Sequence, residues 1–358
     1  MTVVIFADEA DAPVDAVVQT LTQRGVTVFR ANTSWFPDRL VLDAELRASR
    51  WVGHLATEHR SVALEDIRSI WYCSPTPFQF SPGMAPQWRT HAAREAKFGF
   101  GGVLSTLPVL WVNHPNRAAD AMYKPLQLVT AAACNLTVPD TLVTNAPTAV
   151  RRFAENATTG VVQKSFAANT LTEDDKLKIA FTRRLDEAAL RDLGGIGVTA
   201  HQIQHWVDKD YEARVVVVGG QVFTIAIHAD SPAAYVDWRA DFDALRYEWV
   251  PTPPEVDTGV RAYMDAFGLA YAAFDFSVDH AGNWVFLESN GAGRYGWLEA
   301  RTGAPITEAL ADLLQAGKEG STRDRLEAES TRPCGRAGAA GQAHEPRIAG
   351  GGREHTPA

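Results

Sequence analysis

The sequence is poor in cysteine and has no long apolar run. Its three cysteines, Cys73, Cys134 and Cys334, lie far apart, and this spacing predicts neither a zinc site nor a disulfide framework. Few and unpaired cysteines fit a reducing compartment, so we expect a cytoplasmic protein. The N-terminus lacks the basic region of a secretory signal. No stretch approaches the roughly 20 apolar residues that a membrane span needs, and no membrane partner is expected.

Positively charged residues are also fewer than negatively charged ones. The chain has 34 lysines and arginines against 43 aspartates and glutamates, which gives a net charge of −9. This charge argues against a general nucleic-acid binder. Two common phosphate-binding loops are missing as well, since there is no GxxxxGK(S/T) sequence and no GxGxxG follows the first strand. The 358 residues, 46% hydrophobic and 22% charged, are typical of a globular protein with more than one lobe.

The first third of the chain has the pattern of a parallel sheet covered by helices. "TVVIFA", "APVDAVVQTLTQRG" and "VTVFRAN" predict a strand, an amphipathic helix and a second strand. "IRSIWYC" and "VLWVNHP" predict two more buried strands on either side of a helix across residues 86–106. We therefore expect an α/β domain over residues 1–116, followed by a helix over "RAADAMYKPLQLVTAAACNL".

From Val161 onward the pattern changes to the β-hairpins of an α+β architecture. Gly219-Gly220 and Ala281-Gly282 each separate two apolar runs, which predicts two hairpins with tight turns. A last helix, "PITEALADLLQA", is predicted to end near Gly317. Residues 317–358 are polar and have no apolar periodicity, so we expect a disordered tail there.

The second hairpin carries two carboxylates and an amide. If its loop is the two residues Ala281 and Gly282, counting outward places Asp275 opposite Glu288, with Asn290 on the same face. Two facing carboxylates repel each other, and a divalent cation removes this conflict. Carboxylate and amide oxygens suit Mg²⁺, so the pattern predicts a magnesium site. The alternative is that these side chains cap strand ends in solvent, which the flanking apolar residues disfavour.

Three cations occupy positions that favour an anionic ligand. Lys164 ends the apolar strand "VVQK", Lys124 precedes a proline in "AMYKPLQL", and Arg214 begins the strand "ARVVVV". Each of them alone is more often a surface charge. Together with the carboxylate hairpin they predict a site for ATP with magnesium, which needs this mixture of cations and carboxylates.

The order and spacing of these residues resemble those of the ATP-grasp enzymes, in which two α+β lobes enclose ATP behind an N-terminal α/β domain. The resemblance implies an ATP-grasp domain over residues 117–316, with its second lobe from about residue 200. It implies that Lys124 and Lys164 contact the phosphates of ATP. It also implies that two Mg²⁺ ions are bound, with the ligands Asp275, Glu288 and Asn290 and with Glu288 between the ions.

The same resemblance assigns residues to the rest of the nucleotide. The segment "QHWV" resembles the strand whose backbone reads adenine, and its residues are Gln204, His205, Trp206 and Val207. Glu212 matches the acidic residue that binds ribose. Arg214 matches an arginine that faces the γ-phosphate and the acyl-phosphate. Arg214, Lys164 and Glu288 are therefore the candidate catalytic residues.

Several short motifs indicate one branch of this family. "WYCSP", "WVNHP", "DWR" and "NGAGRYGWLE" resemble the ATP-grasp ribosomal peptide maturases of the microviridin or graspetide type, from the first strand to about residue 316. The resemblance implies activation of Asp or Glu side chains of a ribosomal precursor peptide as acyl-phosphates. These are then joined to Ser, Thr or Lys side chains as macrocyclic esters or amides. Cys73 departs from the pattern, which has an arginine there, so a charge contact is in doubt.

A precursor peptide with a leader segment is the partner that the resemblance implies. We expect the region around Asp237 and Arg239 to take part in docking the leader away from the chemistry. An intramolecular ion pair between these two residues is the alternative. Two other functions stay open: another ATP-grasp ligase, which adds an amino acid to a protein C-terminus or joins small metabolites, and a non-catalytic ATP-binding scaffold. The general base, the linkage pattern and the formation of a homodimer also stay open.

Overall fold

The computed structural model describes residues 1–166, 170–173, 176–179 and 181–317, with the strands at 170–173 and 176–179 described by their backbone alone. The disordered tail predicted for residues 317–358 lies outside this part of the chain, apart from Gly317. Within the described residues no helix is long and apolar enough to cross a membrane. The domain boundaries given above stay predictions.

A parallel sheet forms the N-terminal part of the fold, as the sequence predicts. The elements up to residue 112 are β1 (Thr2–Phe6), α1 (Ala12–Gln23), β2 (Thr27–Ala31), β3 (Val41–Arg47), β4 (Arg50–Ala56), β5 (Ser61–Ala63), β6 (Ile67–Tyr72), α2 (Pro86–Ser105) and β7 (Leu110–Val112). The sheet has the strand order β2-β1-β6-β7, and all its strands are parallel. β1 is buried along its whole length because Val3 and Ile5 pack against α1, whereas Val4 and Phe6 pack against α2.

A small antiparallel sheet of β3, β4 and β5 is an element that the sequence pattern does not predict. Ala48 and Ser49, in its first turn, both have positive φ angles, 47° and 64°. Hairpin turns of this kind usually carry Asn or Gly, so the ordinary turn signal is missing. β3 is also largely exposed: its sequence alternates apolar and polar residues, but only Leu42 and Ala44 pack in part against the core.

The rest of the described chain contains two further sheets and a separate hairpin. Its elements are α3 (Pro115–Asp120), α4 (Lys124–Ala133), β8 (Thr141–Thr144), α5 (Pro147–Glu155), β9 (Val161–Lys164), β10 (Thr170–Glu173), β11 (Lys176–Ile179), β12 (Arg183–Leu185), α6 (Glu187–Arg191), β13 (His201–His205), β14 (Lys209–Val218), β15 (Gln221–Ala229), α7 (Pro232–Val236), β16 (Leu245–Trp249), α8 (Pro254–Phe267), β17 (Tyr271–Asp279), β18 (Trp284–Asn290), α9 (Gly296–Thr302) and α10 (Ile306–Ala316). The strand orders are β12-β9-β13-β8 and β16-β15-β14-β17-β18, and β10 pairs with β11. The hairpin at Gly219-Gly220 is confirmed, with Val218 opposite Gln221.

The single helix predicted over residues 117–136 is wrong, because two helices, α3 and α4, share this region. Between them, Tyr123 has an extended backbone with a ψ angle of 100°. Pro125 explains the break: it has no N–H with which to continue a helix from α3, whereas a proline is well tolerated in the first turn of a new helix. The break makes Lys124 the first residue of α4.

The two-residue loop predicted between β17 and β18 is also wrong. The turn holds three residues, 280–282, and Gly282 adopts the left-handed conformation, with a φ angle of 83°, that such a loop requires. A β-bulge then leaves Leu287 unpaired in β18. The longer turn and the bulge shift the register in opposite directions, so the predicted pairing of Asp275 with Glu288 is nevertheless present.

Two hydrophobic cores cover the two faces of the five-stranded sheet. The run of valines in β14 alternates between them, with Val215 and Val217 in one core and Val216 and Val218 in the other. The first core includes α4 and α8, and the second joins the sheet to β1, α1 and α10. β14 and β17, the central strands, are therefore held rigidly where they carry the polar residues of the site.

The close approach of α8 to the segment after α4 depends on Gly259. A Cβ atom added there would lie 2.4 Å from Cδ2 of Leu136 and 3.1 Å from the carbonyl oxygen of Cys134. We expect Gly259→Ala to lower the free energy of unfolding by about 1–3 kcal/mol, because overpacking outweighs the better helix propensity of alanine. Urea denaturation measures this change.

The matched control is Gly99→Ala in α2, where an added Cβ atom would meet nothing within 4 Å. This variant is expected to raise the free energy of unfolding by up to about 1 kcal/mol, because alanine restricts the unfolded chain and favours the helix. A stabilising effect of both substitutions would contradict the close packing at Gly259.

Candidate active site

A cavity of about 770 Å³ is lined by residues of α4, β9, β13, β14, β17 and β18. Every site residue predicted from the sequence lines this cavity. These residues are Lys124, Lys164, Gln204, His205, Trp206, Val207, Glu212, Arg214, Asp237, Arg239, Asp275, Glu288 and Asn290. The fold therefore brings the predicted set together in one place, while the role of each residue stays a prediction.

Two carboxylates and three cations form the charged centre of the cavity. Asp275 and Glu288 face each other across β17 and β18. Oδ1 of Asp275 accepts a hydrogen bond from Arg214 at 2.7 Å, and Oε2 of Glu288 lies 2.7 Å from Nζ of Lys124. The guanidinium of Arg239 bridges the pair, at 3.1 Å from Oδ2 of Asp275 and 3.3 Å from Oε1 of Glu288. All four carboxylate oxygens therefore have a cationic partner, which offsets their mutual repulsion.

The pKa values reflect this mixture of burial and opposite charge. Burial alone would raise the pKa of Glu288, but Lys124 and Arg239 outweigh it and hold that pKa below its usual range. Burial likewise opposes the charge of Arg239, but the neighbouring carboxylates outweigh it and raise its pKa. For Lys164 the balance is reversed, because burial lowers its pKa although Glu288 and Glu212 oppose the shift.

Gln127 fixes the strand that carries Glu288, and sequence reasoning missed it. Its Nε2 atom donates to the backbone oxygen of Ser289 at 2.9 Å, and its Oε1 atom accepts from the backbone N–H of the same residue at 3.0 Å. The hydroxyl groups of Tyr263 and Ser289 are also 2.6 Å apart. The available signal was a glutamine on the buried side of α4, next to Leu128. Ser289 is thus clamped from behind, with Glu288 and Asn290 turned to the cavity.

Asn113, after β7, holds the start of the loop that follows β18. Its Nδ2 atom donates to the backbone oxygens of Gly291 and Tyr271, each at 2.7 Å. Its Oδ1 atom accepts from the backbone N–H groups of Ala270 and Tyr271 at 2.7 and 3.1 Å. Asn113 is only 3% exposed, and with these four hydrogen bonds its amide is fully used. A residue that directly follows the N-terminal sheet therefore positions the end of the predicted metal site.

The chemistry of the cavity fits the proposed magnesium ions. Asp275, Glu288 and Asn290 supply hard oxygen donors, with room beside them for a ligand. In the described part of the chain no group of three or more His, Cys, Asp or Glu side chains is placed to hold a metal ion. A set of two carboxylates and an amide is compatible with that finding. Binding of a cation here would replace contacts that Arg239 and Lys124 now make.

The segment predicted to read adenine uses part of its backbone within the protein. The N–H groups of His205 and Trp206 donate to the backbone oxygens of Asp140 at 3.0 Å and Gly160 at 2.9 Å. The backbone oxygen of Trp206 accepts from the hydroxyl group of Thr159. These backbone groups already have hydrogen-bond partners within the protein and are therefore not free to bind adenine. Fewer groups of the segment than predicted are thus available to the base.

Gln204 and Val207 remain as the parts of this segment that could face adenine. Gln204 is 1% exposed and lines the cavity, and its Oε1 atom has no hydrogen-bond partner within the described residues. Val207 lies between β13 and β14, and its backbone makes no hydrogen bond to another described residue. A buried unpaired acceptor is costly, so a donor from a ligand would stabilise Gln204.

Glu212, predicted to bind ribose, is paired with a lysine that sequence reasoning did not select. Nζ of Lys209 contacts Oε1 of Glu212, and the side chains are 5% and 9% exposed. The same ammonium group lies 4.9 Å from the ring centroid of Trp206 and 5.5 Å from that of Tyr235. Lys209 is therefore held by a carboxylate and two aromatic rings.

Arg239 and Asp237, predicted to help dock the leader, lie at the edge of the charged centre. Asp237 accepts hydrogen bonds from the backbone N–H of Thr182 at 2.9 Å and from the backbone N–H of Arg239 at 3.1 Å, so it fixes the turn that carries Arg239. The guanidinium of Arg239 lies 4.4 Å from the ring centroid of Trp238 and reaches both central carboxylates. Arg239 therefore lies beside the two carboxylates, and the part of Asp237 and Arg239 in docking a leader stays a prediction. The alternative ion pair with Asp237 is present, at 3.4 Å.

The N-terminal part of the chain matches a known domain family. Residues 2–119 match the sequence model of the MvdD pre-ATP grasp domain. This match covers about a third of the chain and includes the parallel sheet of β1, β2, β6 and β7. No curated protein matches the sequence.

Solved structures similar to this chain include a RiPP-associated ATP-grasp ligase and two macrocyclases. A RiPP-associated ATP-grasp ligase from Chryseobacterium gregarium, in complex with ADP and a leader and core peptide, has a TM-score of 0.81 at 26% identity, over 88% of this chain and 96% of that chain. The macrocyclase MdnC from Microcystis aeruginosa, bound with the precursor peptide MdnA, has a TM-score of 0.77 at 25% identity, over 88% and 100%. The macrocyclase MdnB from the same organism has a TM-score of 0.72 at 27% identity, over 87% and 98%.

These comparisons confirm the expectations that the motifs raised about the fold and the family resemblance. The protein has the ATP-grasp fold, with a pre-ATP-grasp domain at its N-terminus. Its structural neighbours include a RiPP-associated ATP-grasp ligase and two macrocyclases, in agreement with the branch that "DWR" and "NGAGRYGWLE" indicate.

The buried Lys209–Glu212 pair gives a test of the local electrostatics. Glu212→Gln leaves the ammonium group of Lys209 buried without a counter-charge, and we expect the free energy of unfolding to fall by about 3–5 kcal/mol. Urea denaturation measures the loss. The double variant Lys209→Met with Glu212→Gln removes both charges and is expected to recover most of it. A double variant no more stable than Glu212→Gln would contradict the pairing.

Proposed function

We propose that this protein is an ATP-dependent ligase that activates Asp or Glu side chains of a ribosomal precursor peptide as acyl-phosphates. It then joins them to Ser or Thr hydroxyls, or to Lys amines, of the same peptide. The observation that carries this proposal is the pair of the buried Asp275 and the partly buried Glu288, surrounded by Lys124, Arg214 and Arg239 in one large cavity. The neighbour bound to ADP with a leader and core peptide supports the same kind of substrate for this chain.

ATP would occupy the cavity from the β13–β14 connection to the charged centre. Gln204 and Val207 would contact the adenine base, and Glu212 the ribose. Lys124 and Lys164 would neutralise phosphate oxygens, which explains two lysines in a largely buried site. Mg²⁺, when bound by Asp275, Glu288 and Asn290, would supply further neutralisation of the phosphate charge. We propose two such ions, with Glu288 as their shared ligand.

The proposed reaction proceeds in two steps. A carboxylate oxygen of the peptide attacks the γ-phosphorus of ATP, and the bond to the β-γ bridging oxygen breaks, giving an acyl-phosphate and ADP. A hydroxyl or amine of the peptide then attacks the acyl carbon, phosphate leaves, and the attacking group loses its proton. The net change in the peptide is the loss of one water per cross-link.

The protein contributes mainly orientation and charge to these steps. Arg214 lies on β14 directly opposite Asp275, so its guanidinium is held at the centre of the site. We assign Arg214 and Arg239 to the reacting carboxylate and to the oxygens of the acyl-phosphate, because both are arginines able to form paired hydrogen bonds with such groups. Lys164 would stabilise the charge that moves from the γ-phosphate to ADP.

Mass spectrometry of a co-expressed peptide tests this function directly. The substrate is a candidate precursor peptide, encoded beside the gene, with Thr or Ser and Asp or Glu residues in its C-terminal part. We expect its mass to fall by about 18 Da for each cross-link, with no added building block. An increase in mass would instead indicate a ligase that adds an amino acid. An unchanged peptide, from an enzyme that binds ATP, would favour the non-catalytic scaffold.

Glu288→Gln is the matched inactive variant for this experiment. It keeps the size of the side chain but removes the charge that faces Lys124, so we expect no mass loss and a rate of ADP formation at least about 100-fold lower, as for loss of other key electrostatic groups. Glu255→Gln, at an exposed position in the first turn of α8, is expected to keep the mass loss of the peptide and the rate of ADP formation of the wild type. Full activity of folded Glu288→Gln would remove the metal assignment.

A further inference from the structure

The cavity carries more positive than negative charge. Among the described residues that line it, the cations are Lys124, Lys164, Lys209, Arg214, Arg239 and Arg294, and the carboxylates are Glu212, Asp237, Asp275 and Glu288. This excess of two positive charges occurs in a chain whose net charge is −9. A local excess of this kind in a cleft attracts and retains an anionic ligand.

Arg294 is only loosely paired with a carboxylate. Its NH1 atom lies 3.7 Å from Oδ2 of Asp11, and that oxygen already accepts a hydrogen bond from the hydroxyl group of Ser74 at 2.9 Å. The side chain of Arg294 is 71% exposed, whereas that of Arg214 is 5% exposed. Arg294 therefore lies at the mouth of the cavity, where its N–H groups can reach a ligand. An exposed arginine is most often a surface charge without a ligand. The fixed backbone that carries Arg294 favours a binding role instead.

The backbone that presents Arg294 is pressed against the charged centre. A Cβ atom added to Gly293 would lie 2.6 Å from Cβ of Ala273 and 2.8 Å from NH2 of Arg214. The hydroxyl group of Tyr271 also donates to the backbone oxygen of Gly293. The residue before Arg294 is thus fixed beside Arg214, so Arg294 extends from a rigid support next to the position assigned to the reacting carboxylate.

We propose that Arg294 binds a second carboxylate of the peptide, distinct from the one that is activated. This inference rests on the proposed function and deepens it. The reacting carboxylate is assigned to Arg214 and Arg239, whereas Arg294, one residue beyond Gly293, lines the same cavity from an exposed position. A guanidinium binds a carboxylate through two parallel hydrogen bonds. The preferred substrates therefore carry a second Asp or Glu within a few residues of the activated one.

Fluorescence anisotropy with two labelled peptides tests the assignment. The first probe is a 12-residue peptide of alternating Thr and Glu, and the second has Gln in place of every Glu but one. Each is titrated with the full-length enzyme saturated with magnesium and AMPPNP. Wild-type enzyme is expected to bind the first probe about five- to tenfold more tightly than the second, as for one charge-assisted contact. Arg294→Gln is expected to lose most of this preference, and Arg294→Lys to retain more of it.

Arg301→Gln, at an exposed position in α9, is the matched control and is expected to keep the wild-type preference. The assignment would be overturned if wild-type enzyme bound neither probe or bound both with equal affinity. It would also be overturned if Arg294→Gln kept the wild-type preference, or if this variant lost affinity for both probes by the same factor. The nucleotide affinity of Arg294→Gln is expected to stay unchanged. Failure of wild-type enzyme to bind the nucleotide would count against the proposed function itself.

Discussion

The structure depends on two carboxylates that face each other inside the protein. Asp275 and Glu288 are direct neighbours on paired strands, so their charges would repel each other, and burial strengthens the repulsion. Lys124, Arg214 and Arg239 offset it, one from a helix, one from the neighbouring strand and one from a short turn. Folding these segments together therefore assembles a charged centre that no single segment could maintain. Such a balance favours a ligand that brings both cations and anions, as magnesium with ATP does.

Backbone contacts behind the centre make this arrangement rigid. Gln127 clamps Ser289 between Glu288 and Asn290, and Asn113 fixes Gly291 at the end of the strand. These two amides come from α4 and from the loop after β7, so both parts of the fold support the same strand. Preorganised charges of this kind need not rearrange when charge moves during phosphoryl transfer. The rigid support thus connects the hydrophobic cores to the proposed chemistry.

The sequence predicted the composition of the site better than its geometry. The predicted pairing of Asp275 with Glu288 is present only because a three-residue turn and a bulge at Leu287, neither of them predicted, offset each other. Gln127 was missed because a single buried amide in a helix has no periodic pattern. The contact of Arg239 with both carboxylates was unpredictable, because its turn is placed by tertiary packing rather than by local sequence.

A crystal structure with Mn²⁺ in place of Mg²⁺, together with AMPPNP, tests the central claim most directly, because the anomalous signal of manganese locates the ion. We predict anomalous density within bonding distance of the oxygens of Glu288 and Asn290, with Arg239 or Lys124 displaced from the carboxylates. Manganese bound to the phosphates alone, with Arg239 and Lys124 still paired to Asp275 and Glu288 as they are here, would contradict the account.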